Sequence, residues 1–520
     1  MSFHVNSPGQ PAKALLSLMC LALLSTSFAF AQNEHPTATP IKHVVVIFQE
    51  NVSFDHYFAT YPKALNPAGE PRFVARRGTP TVNGLSGTLL TANPNSTQPF
   101  RLDRSQAATC DQDHDYKDEQ AAMNHGAMDK FVESVGNGPG KDGKLTCKPA
   151  DVMGFFDGNT VTAIWNYAQH FAMSDNSFNT TYGPSTPGVL NLISGETSGS
   201  TPTDLAGDQA VGGSIVGDSR PVLDDCSPGG GGQPNQVVMS GKNIGDLLNA
   251  KGITWGFFQG GFKPTATNNG KAICGATHTG SDGLPKGDYI PHHQGFQYYR
   301  STVNPHHLPP ASVANIGKTD QANHQYDLSD FFDAINAGNF PEVVYLKAPG
   351  FQDGHAGYSD PLAEQQFLVN TINRLQQLPD WKNTAVIISY DDSDGWYDHV
   401  MPPVVTPSST TADVLTGPGS CGTPAKGAIQ GKCGFGPRLP LLVVSPLAKH
   451  NFVDNTLTDQ ASILRFIEDN WGTGRIGGDS ADQRAGTLLK MFDFRGGDRD
   501  RRLILDPNTG DVVDGHRDDD

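Results

Sequence analysis

The sequence is poor in positive charge. Lys and Arg number 37 against 54 Asp and Glu, for a formal net charge of −17. No extended basic run carries interleaved aromatics, so DNA and RNA are poor partners. An anionic membrane surface is disfavoured on the same ground, and the acidity itself reads as a solvated surface. No Gly-x-Gly-x-x-Gly follows a strand pattern and no P-loop occurs, so no nucleotide cofactor is indicated. The 7 cysteines include no Cys-x-x-Cys pair, which argues against a thiolate zinc site. Beyond the N-terminal stretch no apolar run reaches spanning length.

What is present starts with export. Lys13, an apolar run over residues 14–24 and the small residues ending in Ala29-Phe30-Ala31 read as a secretory signal, 1–31, cleaved before Gln32. A retained anchor is the alternative, disfavoured by the shortness of the run. Its removal leaves Cys110, Cys147, Cys226, Cys274, Cys421 and Cys433, an even set that points to disulfides in a periplasmic or extracellular protein. Proximity in sequence alone pairs 110 with 147, 226 with 274, and 421 with 433. The expected organisation is a catalytic domain over 32–495, followed by a hairpin and an acidic tail over 496–520.

With 37% hydrophobic residues the chain can bury a large core, while 58 Gly and 37 Pro imply long ordered loops, where sites tend to sit. Runs at 41–48, 342–346, 385–389 and 439–444 have the β-branched, apolar pattern of strands buried on both faces. Helical spacing occurs at 327–337, 361–378 and 459–471. Strand alternating with helix predicts an α/β fold, with a mostly parallel sheet, helices on both faces and long loop insertions. Residues 503–513 read as a hairpin around Pro507-Asn508-Thr509-Gly510.

In open α/β sheets, functional groups collect beyond the carboxyl ends of strands. Glu50-Asn51 and Asp391-Asp392 follow two of the buried runs. Together they offer carboxylate and amide oxygens suited to a divalent cation, although an acidic pair read alone is usually a turn or a helix cap. Ser185 stands in Gly183-Pro184-Ser185-Thr186-Pro187, where Thr186 is the expected N-cap, Pro187 the first helical residue and Gly195 the close of the helix. A serine ahead of a helix start is placed to bring its hydroxyl to a phosphate, and a Pro-bracketed capping turn is the plainer reading. His114, His292-His293, His306-His307 and His355 lie in polar loops, where imidazoles can bind phosphoryl oxygens or move a proton.

In this order, Glu50-Asn51-Val52-Ser53-Phe54-Asp55-His56-Tyr57-Phe58, the Gly183–Pro187 segment, Pro291-His292-His293 with Phe296-Gln297-Tyr298-Tyr299, Gly354-His355, and Tyr390-Asp391-Asp392-Ser393-Asp394-Gly395-Trp396-Tyr397-Asp398-His399 resemble the bacterial phosphoesterase family. That family includes acid phosphatases that inhibit the respiratory burst and phospholipases C that hydrolyse phosphatidylcholine. The resemblance runs from about Lys42 to Trp471. It implies an alkaline-phosphatase-like core with one divalent metal ion, held by Glu50, Asn51, Ser185, Asp391 and Asp392. Ser185 would also be the nucleophile, and His114, His292, His293 and His355 would surround the phosphoryl group, with His355 the first choice as proton donor to the leaving oxygen. His306 and His307 receive no definite role. Val52 stands where the family commonly has Arg.

The expected activity is that of an exported acid phosphatase working on monoesters through a phosphoseryl intermediate, because the family's phospholipases usually extend into C-terminal β domains. Phospholipase C action on diesters is the alternative. A sulfatase lacks its usual Cys or Ser motif here, and a non-catalytic exported cation-binding protein is the reading from another class. Expected partners are a small phosphate ester or a phospholipid head group, without nucleic acid or a stable membrane anchor.

Overall fold

In the computed structural model, which describes residues 35–137, 140–227, 235–496 and 499–515, the apolar run after Ile41 forms a strand buried along its whole length. The expected signal segment, the glycine run at 229–232 and the acidic end at 518–520 lie outside the described residues. The main sheet has eight strands: β1 (His43–Gln49), β2 (Ala172–Ser174), β3 (Trp255–Gln259), β4 (Gln325–Asp327), β5 (Val343–Lys347), β6 (Thr384–Tyr390), β7 (Leu441–Val444) and β8 (Phe452–Asp454), in the spatial order β4-β3-β5-β1-β6-β7-β2-β8. Every neighbouring pair is parallel except the two made by β7. The α/β class and the mostly parallel sheet are therefore as the sequence predicts.

Seven helices of eight residues or more occur among the described residues: α1 (Tyr116–Met123), α2 (Thr162–His170), α3 (Ser185–Ser194), α4 (Ile244–Lys251), α5 (Leu328–Asn336), α6 (Pro361–Leu375) and α7 (Gln460–Trp471). Asp327, Asp360 and Asp459 cap α5, α6 and α7, each from just ahead of the first turn. Two expectations need correction. α6 stops at Leu375 rather than 378, because Leu378 precedes Pro379 and takes the extended backbone that a following proline imposes. α3 begins at Ser185 with Pro184 outside it, so Thr186 is not the cap. Its side chain turns to Asp218 and Ser219 instead. Pro187 still fits the first turn, whose N–H groups need no intrahelical partner, and Gly195 closes the helix with φ +61°.

The three disulfides are Cys110–Cys147, Cys226–Cys274 and Cys421–Cys433, the pairs nearest in sequence. Leu503–Leu505 pairs with Val512–Gly515 as the expected hairpin. Leu503 and Leu505 are buried in the main core, and Asn373 of α6 and Gln376, just beyond its end, bond to the backbone of that strand. Among the described residues no helix is long and apolar enough to cross a membrane.

What the sheet does for the site lies in its register. Gln49 pairs with Tyr390 and Ile47 with Leu346, so β1, β6 and β5 finish side by side at one edge. Glu50-Asn51 therefore meets the last residue of β5, Lys347, 297 positions from Glu50, and Asp391-Asp392, with Asp391 340 positions from Asn51.

Candidate active site

Ser185, the first residue of α3, is buried, and its Oγ lies 3.2 Å from both Glu50 Oε2 and Asp392 Oδ2. The acidic loop is fixed by its own backbone. Asp391 Oδ1 accepts from Asn51 N at 3.0 Å and Asp392 N at 2.8 Å, and Asp392 Oδ1 accepts from Asp394 N at 2.8 Å. Asn51 sits at φ +54°, a conformation that asparagine tolerates better than most residues. Its Nδ2 is 3.3 Å from Asp394 Oδ1 and 3.4 Å from His114 Nε2. Asn51 Oδ1 and Asp391 Oδ2 are buried without a hydrogen-bond partner among the described residues. Such orphans ordinarily cost ~1–3 kcal/mol each. Five of the residues singled out from the sequence thus converge, with two oxygens left over.

The histidines flank this cluster. His293 Nδ1 is 3.2 Å from Glu50 Oε1, and its ring stands perpendicular to that of His292 at 4.5 Å. His292 Nε2 is 3.6 Å from Asp218 Oδ2. His355 Nδ1 lies 2.6 Å from the Ala356 carbonyl, which assigns the proton to that nitrogen and leaves Nε2 as the free ring atom. His114, His292 and His355 line a cavity of about 350 Å³ together with Asp111, Asp218, Asp282, Lys286 and Tyr358. His306 and His307 are placed elsewhere. His306 pairs with Asp225 at the surface, and His307 is locked between Asp224 at 2.8 Å and the Phe262 carbonyl at 2.7 Å.

Burial and crowding shape the electrostatics. Glu50 is pushed well above the usual carboxylate range by burial and by Asp391, with Lys347 pulling the other way. Burial and Asp391 raise Asp392, while burial and Asp111 raise Asp394. Asp353 rises to about 7, chiefly by burial. These shifts describe more carboxylates than one ammonium can neutralise. His293 and His355 are held well below the ordinary imidazole value by burial, reinforced by Lys347 beside the first and His114 beside the second. His114 goes upward, because Asp392, Asp394 and Asp111 outweigh its burial.

Several residues at the site were not singled out from the sequence. Lys347 is buried and ion-paired to Glu50. Its signal was legible, since it directly follows the apolar run 342–346, the same position that marked Glu50 and Asp391. Asp394 lies inside a motif already read, and Asp353 two residues before His355. Glu119, in α1, accepts from Gly183 N at 3.0 Å and Ser393 Oγ at 2.6 Å, tying the serine loop to the acidic loop. Nothing in its local sequence marks it.

A model of the phosphoesterase family matches residues 41–474. The chain belongs to the phosphoesterase family. Among its relatives, the non-hemolytic phospholipase C of Pseudomonas aeruginosa is 24% identical over 85% of this chain and 55% of its own length. Phospholipase C A of Mycobacterium tuberculosis is 25% identical over 84% of this chain and 73% of its own. This phosphoesterase therefore spans little more than half of the Pseudomonas protein. A solved structure of a protein in the alkaline phosphatase superfamily from Vibrio parahaemolyticus aligns over 66% of this chain and 67% of its own, at 12% identity and a TM-score of 0.28, too low to bear on the fold.

Proposed function

We propose that this phosphoesterase hydrolyses phosphate esters outside the cytoplasm, with Ser185 as nucleophile and one divalent cation held by Glu50, Asn51, Ser185, Asp391 and Asp392. The observation that carries the reading is the meeting of the serine hydroxyl with two carboxylates beside two unpartnered buried oxygens, Asn51 Oδ1 and Asp391 Oδ2. An all-oxygen donor set with surplus negative charge is what a hard divalent ion requires. When bound, such an ion offsets the carboxylate repulsion and makes the serine hydroxyl easier to deprotonate. Export is supported by the signal-like residues 1–31 and three disulfides.

The chain's own residues supply the rest. Ser185 Oγ attacks phosphorus while its proton passes to Asp392 Oδ2, which it already faces. As the bond from phosphorus to the ester oxygen breaks, the alcohol leaves with the proton that Ser185 gave up. Water then attacks the phosphoserine, His355 Nε2, the unprotonated ring atom, takes its proton, and phosphate departs as that proton returns to Ser185. His114 and His292 stand on the cavity wall, where ring N–H groups can bind the phosphoryl oxygens as charge builds on them.

Of the two ester classes, phosphodiesters of the phospholipase C kind come first in this reading, because both relatives carry that name. Monoesters, favoured by the sequence, come second. Chelator-stripped protein is expected to lose turnover of p-nitrophenyl phosphate and p-nitrophenyl phosphorylcholine and to regain it with a divalent ion. Ser185→Ala should lower kcat by about a thousandfold or more with an unchanged melting temperature. Near-normal turnover in that variant would reject the role. Cation binding without hydrolysis of either ester would favour the non-catalytic reading.

A further inference from the structure

We propose that Asp218 sets which phosphate esters the site accepts, by holding a fixed negative charge in the seat that the start of α3 offers to an anion. The inference deepens the hydrolytic reading above and rests on it. Thr186 follows the nucleophile, and its N–H is among those at a helix start that have no intrahelical acceptor. That N–H donates to Asp218 Oδ1 at 3.0 Å, and the Thr186 hydroxyl donates to the same oxygen at 3.1 Å. The other carboxylate oxygen lies 3.6 Å from His292 Nε2. The carboxylate thus bridges two groups well placed to hold a phosphoryl oxygen, a backbone N–H beside Ser185 and a cavity histidine.

Asp218 is not a buried strut. Its side chain keeps 34% of its exposure, and it lines the cavity with Asp111, Asp282 and Lys286. The loop that carries it is pinned next door, where the Ser219 carbonyl accepts from Tyr298 Oη at 2.5 Å and lies 3.2 Å from Thr186 Oγ1. The charge therefore stays close to Ser185 even when a substrate displaces the carboxylate from Thr186.

A phosphate monoester carries a charge of about −1.5 to −2 near pH 7, whereas a diester carries one unit. Repulsion from a fixed carboxylate scales with that charge, so Asp218 penalises a bound monoester, or free phosphate, more than a diester. The residue is a selectivity filter for singly charged esters, and it weakens retention of a doubly charged product.

Two variants of the full chain test this. Asp218→Asn keeps an acceptor oxygen for Thr186 and removes the charge, while Asp218→Ala removes both. Each is expected to tighten competitive inhibition by inorganic phosphate about tenfold, and to raise the kcat/KM ratio of p-nitrophenyl phosphate over p-nitrophenyl phosphorylcholine by about the same factor. Unchanged or weaker phosphate inhibition in Asp218→Asn overturns the proposal. So does equal loss of turnover on both esters, which would make Asp218 an orienting partner of His292, or selective loss on the choline ester, which would make it a binder of the cationic head group. Should Asp218→Ala fail to fold, Asp218→Asn decides alone. Phosphate affinity by calorimetry needs no turnover, so a native chain inactive on both esters would reject the hydrolytic reading while the two affinities still judge Asp218.

Discussion

Asn51 shows how much of the site depends on single atoms. Its backbone N–H secures Asp391, its Nδ2 faces Asp394 and His114, and its Oδ1 is the one polar atom of the side chain without a partner among the described residues. Asn51→Ala removes that oxygen and leaves the backbone bond. We expect divalent-ion affinity, measured by titration of stripped protein, to fall at least ~10–100-fold, the loss seen even when partners behind metal ligands are removed. Unaltered affinity would exclude Asn51 as a ligand. At this scale the sequence was informative wherever a polar residue directly follows a buried strand, which is how Glu50, Asn51, Asp391 and Asp392 could be read together. It was silent on Glu119 and Asp218, whose partners Gly183, Ser393 and Thr186 come from other parts of the chain.

At the scale of elements, the decisive contact is that of α3 with the end of β6. Gly188 lies in the first turns of α3, and a Cβ added there would overlap the Asp391 carbonyl. That carbonyl also accepts from Asn179 Nδ2 at 2.6 Å and Gln460 Nε2 at 2.5 Å, so it has little room to yield. Gly188→Ala should therefore push α3, and Ser185 with it, away from Asp392. The expected cost is ~1–3 kcal/mol of stability and a fall in kcat larger than any change in KM. A normal melting temperature with normal kcat would contradict it. The long buried strands β1, β5, β6 and β7 and the capped helices α5 and α7 were recognisable because pattern and caps agree. β2, β4 and β8 have only three residues each, too few for a periodicity to emerge. The start of α3 was misplaced because the Thr186 hydroxyl faces Asp218 and Ser219 instead of accepting from the N–H groups of its own helix.

For the whole molecule, buried histidines outside the site contribute to the response to acid. His324 stacks on Trp255 with ring centroids 4.4 Å apart, and its Nδ1 lies 2.9 Å from the Trp255 carbonyl. Burial lowers its pKa from 6.5 to about 4. Between those values the unfolded chain binds the extra proton, so this contribution to stability is complete above pH 6.5 and declines as pH falls toward 4. Buried carboxyls such as Glu364, raised to about 7 by burial, act in the opposite direction, so the histidine is best isolated by difference. Urea melts of His324→Asn should lose ~2 kcal/mol less than the native chain between pH 7 and pH 5. Identical losses would show that His324 does not contribute.

The adjacency of β1 and β6 also has a temporal side. The two halves of the acidic cluster leave the ribosome some 340 positions apart, and the sheet edge between them closes only after β6 has been made and has paired in register with β1. A cation held as proposed would be captured only once that pairing is made, so the ion content of the compartment in which it happens would decide which metal is taken up.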